Sequence, residues 1–314
     1  MSIVSRLKKK GPNGLGYGTT AAEVVAKLDL AGRTILVTGC RSGLGLATAR
    51  ALAARGARLV GTARTAELAR SVLAGLETRA GGPPHVPVGC DLADVASVRA
   101  CVATVIREVG QLDAVICNAG IMALPRLEQA YGYELQFFTN HVGHFLLVTG
   151  LLDRLAKDGR IVIVSSEAHR RAPAAGIELD NLSGAKHYAP WKAYGQSKLA
   201  NLLFSNHLAL RLAGGAGQPG TTSNALHPGV IQTALSRHIP GIAQLGLRLA
   251  APFFLKSTEE GAATQTYLAT RPEVALTSGR YFMDCQPAVP SALGRDAELA
   301  ARLWEETERL VARL

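Results

Sequence analysis

Two tyrosine–lysine pairs, Tyr188 with Lys192 and Tyr194 with Lys198, have the four-residue spacing that puts a phenol and an ammonium on one helix face. A free phenol ionises near pH ~10 and exchanges protons reluctantly at neutrality. A cation held beside it stabilises the phenolate and makes the tyrosine a usable acid or base. That is the proton-transfer half of reducing a carbonyl, in which hydride goes to carbon and a proton to oxygen. Pro190 interrupts the first pair. Proline interrupts a helix but suits its first position, so Tyr188 falls outside and the helix runs from about Ala193 through Tyr194, Lys198 and Leu212. Tyr194 and Lys198 are the expected acid/base pair.

A second cluster suits a phosphate-bearing ligand. Thr38-Gly39-Cys40-Arg41-Ser42-Gly43-Leu44-Gly45 follows an apolar run and opens a helical pattern at Leu44. Glycines there permit positive φ, close approach of backbone to a pyrophosphate, and tight packing of helix on strand. The helix opening aims free N–H groups at the anion. The next strand ends Gly61-Thr62-Ala63-Arg64, with no acid before Glu67 to accept from a ribose 2′-hydroxyl. Arg64, joined by Arg41 from the loop, instead matches a 2′-phosphate. The expected cofactor is therefore NADP(H).

Alternating elements must position these groups. Strands are expected at Thr34–Val37, Arg58–Gly61, Val86–Gly89, Ala114–Cys117, Arg160–Val164, Thr222–Leu226 and Tyr281–Phe282. Helices are expected at Leu44–Ala54, Ser97–Glu108, Glu134–Leu155, Ala193–Leu212 and Thr258–Ala269. Apolar strands separated by helices imply an α/β chain: one doubly wound Rossmann domain, its seven-stranded parallel sheet covered on both faces. The expected layout is an N-terminal arm over 1–30, the dinucleotide-binding and catalytic domain over 31–290, and a C-terminal helix over 291–314. Leu299, Leu303, Leu310 and Leu314 form the apolar stripe of that helix.

In order along the chain, Thr38–Gly45, Cys90-Asp91-Leu92, Asn118-Ala119-Gly120, Asn140-His141-Val142-Gly143, Ser165-Ser166, Tyr194 with Lys198, and Pro228-Gly229 with Thr233 resemble the short-chain dehydrogenase/reductase family. The resemblance runs from about Thr34 over almost the whole chain. Asn140–Phe145, Ser166-Glu167-Ala168-His169 and His227-Pro228-Gly229-Val230 are most similar to its retinol-dehydrogenase-like branch. The resemblance implies a catalytic set of Asn140, Ser166, Tyr194 and Lys198. In it Lys198 also holds the nicotinamide ribose and Asn140 anchors a water that relays protons to Lys198. Ser165 and Ser166 face opposite ways on an extended strand end, so only one can donate to the substrate oxygen. The family pattern points to Ser166. It also implies Asp91 and Leu92 at the adenine, Asn118, Ala119 and Gly120 along the ribose, and Pro228, Gly229, Val230 and Thr233 at the carboxamide.

Between Ser166 and Tyr194 lie 27 residues, more than the family's usual members carry. They are expected to form a rim over the site and, by analogy, to hinder the usual dimer, leaving monomer or homodimer open. The family places a substrate lid after Thr233, here about 234–256. Its apolar run suits a bulky hydrophobic carbonyl or alcohol; the rival, a membrane-surface helix, is weakened by interrupting Gly and Pro.

The net charge of +10 would suit nucleic acid, but aromatics are only 5% and the arginines are mixed with acids, so no nucleic-acid partner is expected. Five cysteines without a C-x-x-C spacing argue against a disulfide framework or zinc site and suit a reducing cytoplasm. His141 and His144 lack a third ligand nearby, and the family uses no metal; none is expected. No apolar run reaches the ~18 residues of a membrane span. Two other functions are weighed. A cofactor-binding redox sensor or scaffold without turnover is opposed by the intact Tyr, Lys, Ser and Asn set. A nucleotide-sugar epimerase is opposed by the glycine spacing and the lack of a large C-terminal domain.

Overall fold

The computed structural model describes residues 10–231 and 255–314. Its main sheet is built from β1 (Thr34–Thr38), β2 (Arg58–Ala63), β3 (Val86–Gly89), β4 (Leu112–Cys117), β5 (Leu155–Val164), β6 (Thr222–His227), β7 (Tyr281–Met283) and β8 (Gln286–Ala288). Across the sheet the order is β8-β7-β6-β5-β4-β1-β2-β3. The seven expected strands run parallel. An eighth, β8, returns antiparallel beside β7. It escaped the sequence reading because Gln286-Pro287-Ala288 has no apolar run; its turn, Asp284-Cys285, holds both residues at positive φ, as a tight two-residue hairpin requires.

Burial on both faces explains the near-continuous apolar strands. Ile35, Val37, Ala114, Ile116, Val162 and Val164 point into one core. Their neighbours Leu36, Val115, Cys117, Ile161 and Ile163 point into another. The first core is covered by α1 (Ala21–Val25), α2 (Gly43–Ala53) and, farther along the chain, the helix Ala263–Thr270. Residues of the N-terminal arm therefore sit in this core, with Val24, Val25 and Leu30 buried. The short helix α3 (Ala66–Leu73) follows β2. The second core is covered by α4 (Val95–Glu108), α5 (Gly143–Leu151) and α6 (Pro190–Ala213). Pro190 occupies the first turn of α6, as expected, and Tyr188 lies before it. The last helix, α8 (Ala297–Ala312, with α7 being Ala263–Thr270), buries Leu299, Leu303 and Leu310 and starts at Asp296, whose carboxylate accepts from Leu299 N at 2.9 Å.

The expected helix Glu134–Leu155 is corrected. Residues Leu135–Phe137 begin it, Phe138–Val142 form a π turn, and α5 then runs to Leu151 before a 3₁₀ turn at Leu152–Arg154. Leu155 already belongs to β5, where it pairs with Leu112. Apolar periodicity alone does not register the extra residue of a π turn, here within Phe138–Val142. Among the described residues no helix is long and apolar enough to cross a membrane.

Candidate active site at the carboxyl edge of the sheet

β1 pairs with β2 on one side and β4 on the other, so the strand order reverses there and a crevice opens at the carboxyl ends. A cavity of about 1090 Å³ occupies it, running from Arg41 and Arg64 past Asp91 and Gly120 to Tyr194 and Pro228. Of the expected site residues, Gly39, Arg41, Ser42, Gly43, Leu44, Arg64, Asp91, Leu92, Asn118, Ala119, Gly120, Ser166, Tyr194, Lys198, Pro228, Gly229 and Val230 line it. Gly45 and Asn140 lie behind its wall, and Thr233 lies outside the described residues, as does most of the expected lid.

The glycine loop shows why those residues are glycines. Gly39 and Gly43 hold positive φ, 68° and 56°. A Cβ on Gly45 would collide with the Gly39 carbonyl oxygen and approach the Asn118 amide at 2.6 Å. The contact that excludes a side chain is thus the packing of α2 on the loop. Ser42 caps α2 without a side-chain hydrogen bond, so the first N–H groups of the helix open towards the cavity. Arg41 and Arg64 are both exposed at that end.

Asn118 is bound into the protein itself. Its amide donates to Thr38 O at 2.8 Å, its backbone N–H donates to Thr38 Oγ1 at 2.9 Å, and its side-chain oxygen accepts from Gln265 at 3.2 Å. It ties β4 to β1 while presenting its edge to the cavity. Asn140, fully buried, is used likewise: its Oδ1 accepts from Ile121 N at 2.8 Å, and its Nδ2 donates to Ile121 O and Ser197 Oγ, both at 2.9 Å. Its backbone oxygen contacts His144 Nδ1 at 2.9 Å, and His144 Nε2 meets Thr38 Oγ1 at 2.9 Å. His144 thereby fastens the π turn to β1. His141 bonds to Thr307 instead.

The two serines separate as strand geometry requires. Ser165 Oγ donates to Lys198 O at 2.7 Å, facing α6. Ser166 lines the cavity together with Tyr194, and its hydroxyl accepts from Ala168 N at 3.1 Å. Lys198 lies one turn on from Tyr194, its Nζ 5.8 Å from the ring centroid and 3.0 Å from Val164 O, to which it donates. Burial pushes the ammonium down to about 8. It also pushes the phenol up to about 12, with the neighbouring Ser166 opposing the rise. In the chain alone, desolvation dominates both groups.

The rim supplies lining residues that motif reading did not single out. Arg171 and Trp191 come from the segment between Ser166 and Tyr194, and Met122, Leu135 and Thr139 from the opposite wall. Trp191 is 45% exposed and sits edge-on to Tyr194, centroids 6.1 Å apart. A tryptophan three residues before the tyrosine on the same helix was the available signal.

Comparison with known proteins agrees with this arrangement. Residues 33–241 match the family model described as short chain dehydrogenase. The chain is 38% identical to a short-chain dehydrogenase TIC 32 B, chloroplastic, of Brassica napus, over 96% of each. It is 38% identical to human retinol dehydrogenase 14, covering 99% of this chain and 91% of that one. A short chain dehydrogenase from Burkholderia cenocepacia, solved in complex with NADP, is similar with a TM-score of 0.63 and 27% identity, over 81% of this chain and 96% of that one. The chain belongs to the short chain dehydrogenase family, on its retinol-dehydrogenase-like branch, and is an oxidoreductase of the kind that binds a nicotinamide cofactor.

Proposed function

We propose that this protein is an NADP(H)-dependent ketone or aldehyde reductase, or the same enzyme run as an alcohol dehydrogenase, acting on a bulky hydrophobic substrate. The observation that carries the reading is that Ser166, Tyr194 and Lys198 line one cavity, with the Lys198 Nζ 5.8 Å from the centroid of the phenol ring. The dinucleotide is supported by the glycine cradle that a Cβ at Gly45 would fill, and by the open N–H groups of α2. The extra phosphate of NADP is supported by exposed Arg41 and Arg64 and by β2 ending without an acid. The relative from Burkholderia, solved with NADP, favours the same choice. When bound, NADPH supplies the hydride.

The residues of the chain supply the rest. Tyr194, protonated at neutral pH because burial holds its phenol up at about 12, donates to the carbonyl oxygen as charge develops there. Ser166 donates a hydrogen bond to that same oxygen and afterwards to the tyrosinate. Lys198, charged below about pH 8, stabilises the tyrosinate left behind. Asn140 positions the Gly120–Ile121 backbone across from Lys198. The walls at Met122, Leu135 and Trp191 suit an apolar substrate body. The five cysteines are free and buried, which suits a reducing compartment such as the cytoplasm.

Tyr194→Phe tests the assignment. Turnover of a carbonyl panel with NADPH is expected to vanish while NADPH titration still shows binding. Undiminished turnover in that variant would remove the tyrosine from the mechanism.

A further inference from the structure

The charged groups on the substrate side of the cavity do not balance. Glu167 accepts from Arg170 Nε at 2.8 Å, and Arg170 also donates to Val289 O at 2.8 Å, so that pair neutralises itself. His227, beside Glu167, is kept uncharged near neutrality because burial lowers it to about 4. Lys198 is enclosed beneath the phenol and engaged with Val164 O. Arg171 is different. It lines the cavity, and among the described residues no carboxylate lies within ion-pair distance of it.

Its guanidinium is held 5.2 Å above the Trp191 ring, and Trp191 in turn meets the Tyr194 ring edge-on. Stacking on an indole restrains a side chain that would otherwise lose much rotamer entropy on binding. The guanidinium carries a fork of N–H donors whose geometry matches a carboxylate. An unbroken path of contacts therefore leads from the phenol, along the indole, to an unpaired cation at the rim.

We propose that the substrate is an oxo-carboxylate: its carbonyl meets Tyr194, its apolar body lies along Trp191, and its carboxylate is bound by Arg171. This deepens the carbonyl-reductase reading and rests on it. The dinucleotide phosphates belong to the far end of the cavity, at Arg41, Arg64 and the opening of α2, so Arg171 is not needed for them.

The test compares 4-formylbenzoate and longer aliphatic oxo-carboxylates with their methyl esters, following NADPH consumption. At least one acid is expected to exceed its ester by about tenfold in kcat/KM, mainly through KM. The advantage should shrink as ionic strength rises. Arg171→Gln should bring the acid-to-ester ratio close to one, and Arg171→Lys should restore part of it. A ratio near one in the unaltered enzyme, or one that Arg171→Gln leaves in place, overturns the carboxylate inference while the reductase reading stands. If no aldehyde or ketone of the panel, acid or ester, consumes NADPH, the reductase reading fails and takes this inference with it.

Discussion

Ser165 donates its hydroxyl to the backbone oxygen of Lys198 at 2.7 Å, fastening the end of β5 to the middle of α6. Because successive side chains on an extended strand point to opposite sides, this contact turns Ser166 towards Tyr194. One serine holds the frame and the next lines the cavity. The relationship also keeps Lys198 against Val164 O, where its Nζ donates at 3.0 Å.

Ser166→Ala is therefore expected to lower kcat by about 10²–10³, the loss typical of one donor to a developing oxyanion. Ser165→Ala should mainly cost stability, about 0.5–1.5 kcal/mol for one lost hydrogen bond, because Lys198 O keeps its place in the ladder of α6. Steady-state kinetics and urea unfolding of both variants check this; a larger kcat loss at Ser165 would reverse the assignment.

Lys198 sets a pH dependence. Its ammonium is lowered by burial to about 8 from an ordinary value of 10.5. Below about pH 8 it is charged and supports the tyrosinate, so the reductive kcat should fall as pH rises through that value. The stability effect has the opposite sense. Between about 8 and 10.5 the unfolded chain binds the proton more tightly, so the contribution of this group to stability increases with pH across that window. At neutrality the buried charge costs on the order of 3 kcal/mol. Lys198→Met should thus lose activity yet unfold at higher urea than the parent, and a lower midpoint would contradict the burial cost.

At the other end of the cavity, Arg64→Asp should weaken NADPH binding by about a hundredfold through the lost charge-assisted hydrogen bonds and new repulsion. NADH binding should change far less. Fluorescence titration with both cofactors measures the ratio, and equal losses would count against a phosphate contact.

Beneath the Pro228–Ile231 loop lies a buried ion pair. Lys256, 1% exposed, pairs with Asp284, stands 5.1 Å from the Tyr17 ring, and donates its backbone N–H to Val230 O at 2.9 Å. The hypothetical Cβ of Gly229 would press on its methylenes. Asp284→Asn should destabilise the protein by about 3–5 kcal/mol, since it leaves a buried ammonium unpaired. Combining it with Lys256→Met should recover much of that loss. Chemical denaturation of the single and double variants gives the cycle, and additive losses would show that the two groups are not coupled.

Some of this protein was written in its sequence. The Tyr194–Lys198 pair was legible because four-residue spacing and a proline at the helix start are local properties of a helix. The glycine loop was legible for the same reason: a strand, a turn and a helix opening are consecutive in the chain. The parallel sheet followed from apolar strands that must bury both faces.

The tertiary structure alone decided the rest. It drew the Ser165 hydroxyl onto a carbonyl 33 residues away. It widened the helix at Asn140 into a π turn pinned by His144 on β1, added the antiparallel β8, and laid Arg171 on Trp191. Each depends on which distant groups meet when the elements pack, and neither hydrophobic periodicity nor motif spacing encodes a contact between residues that only folding brings together.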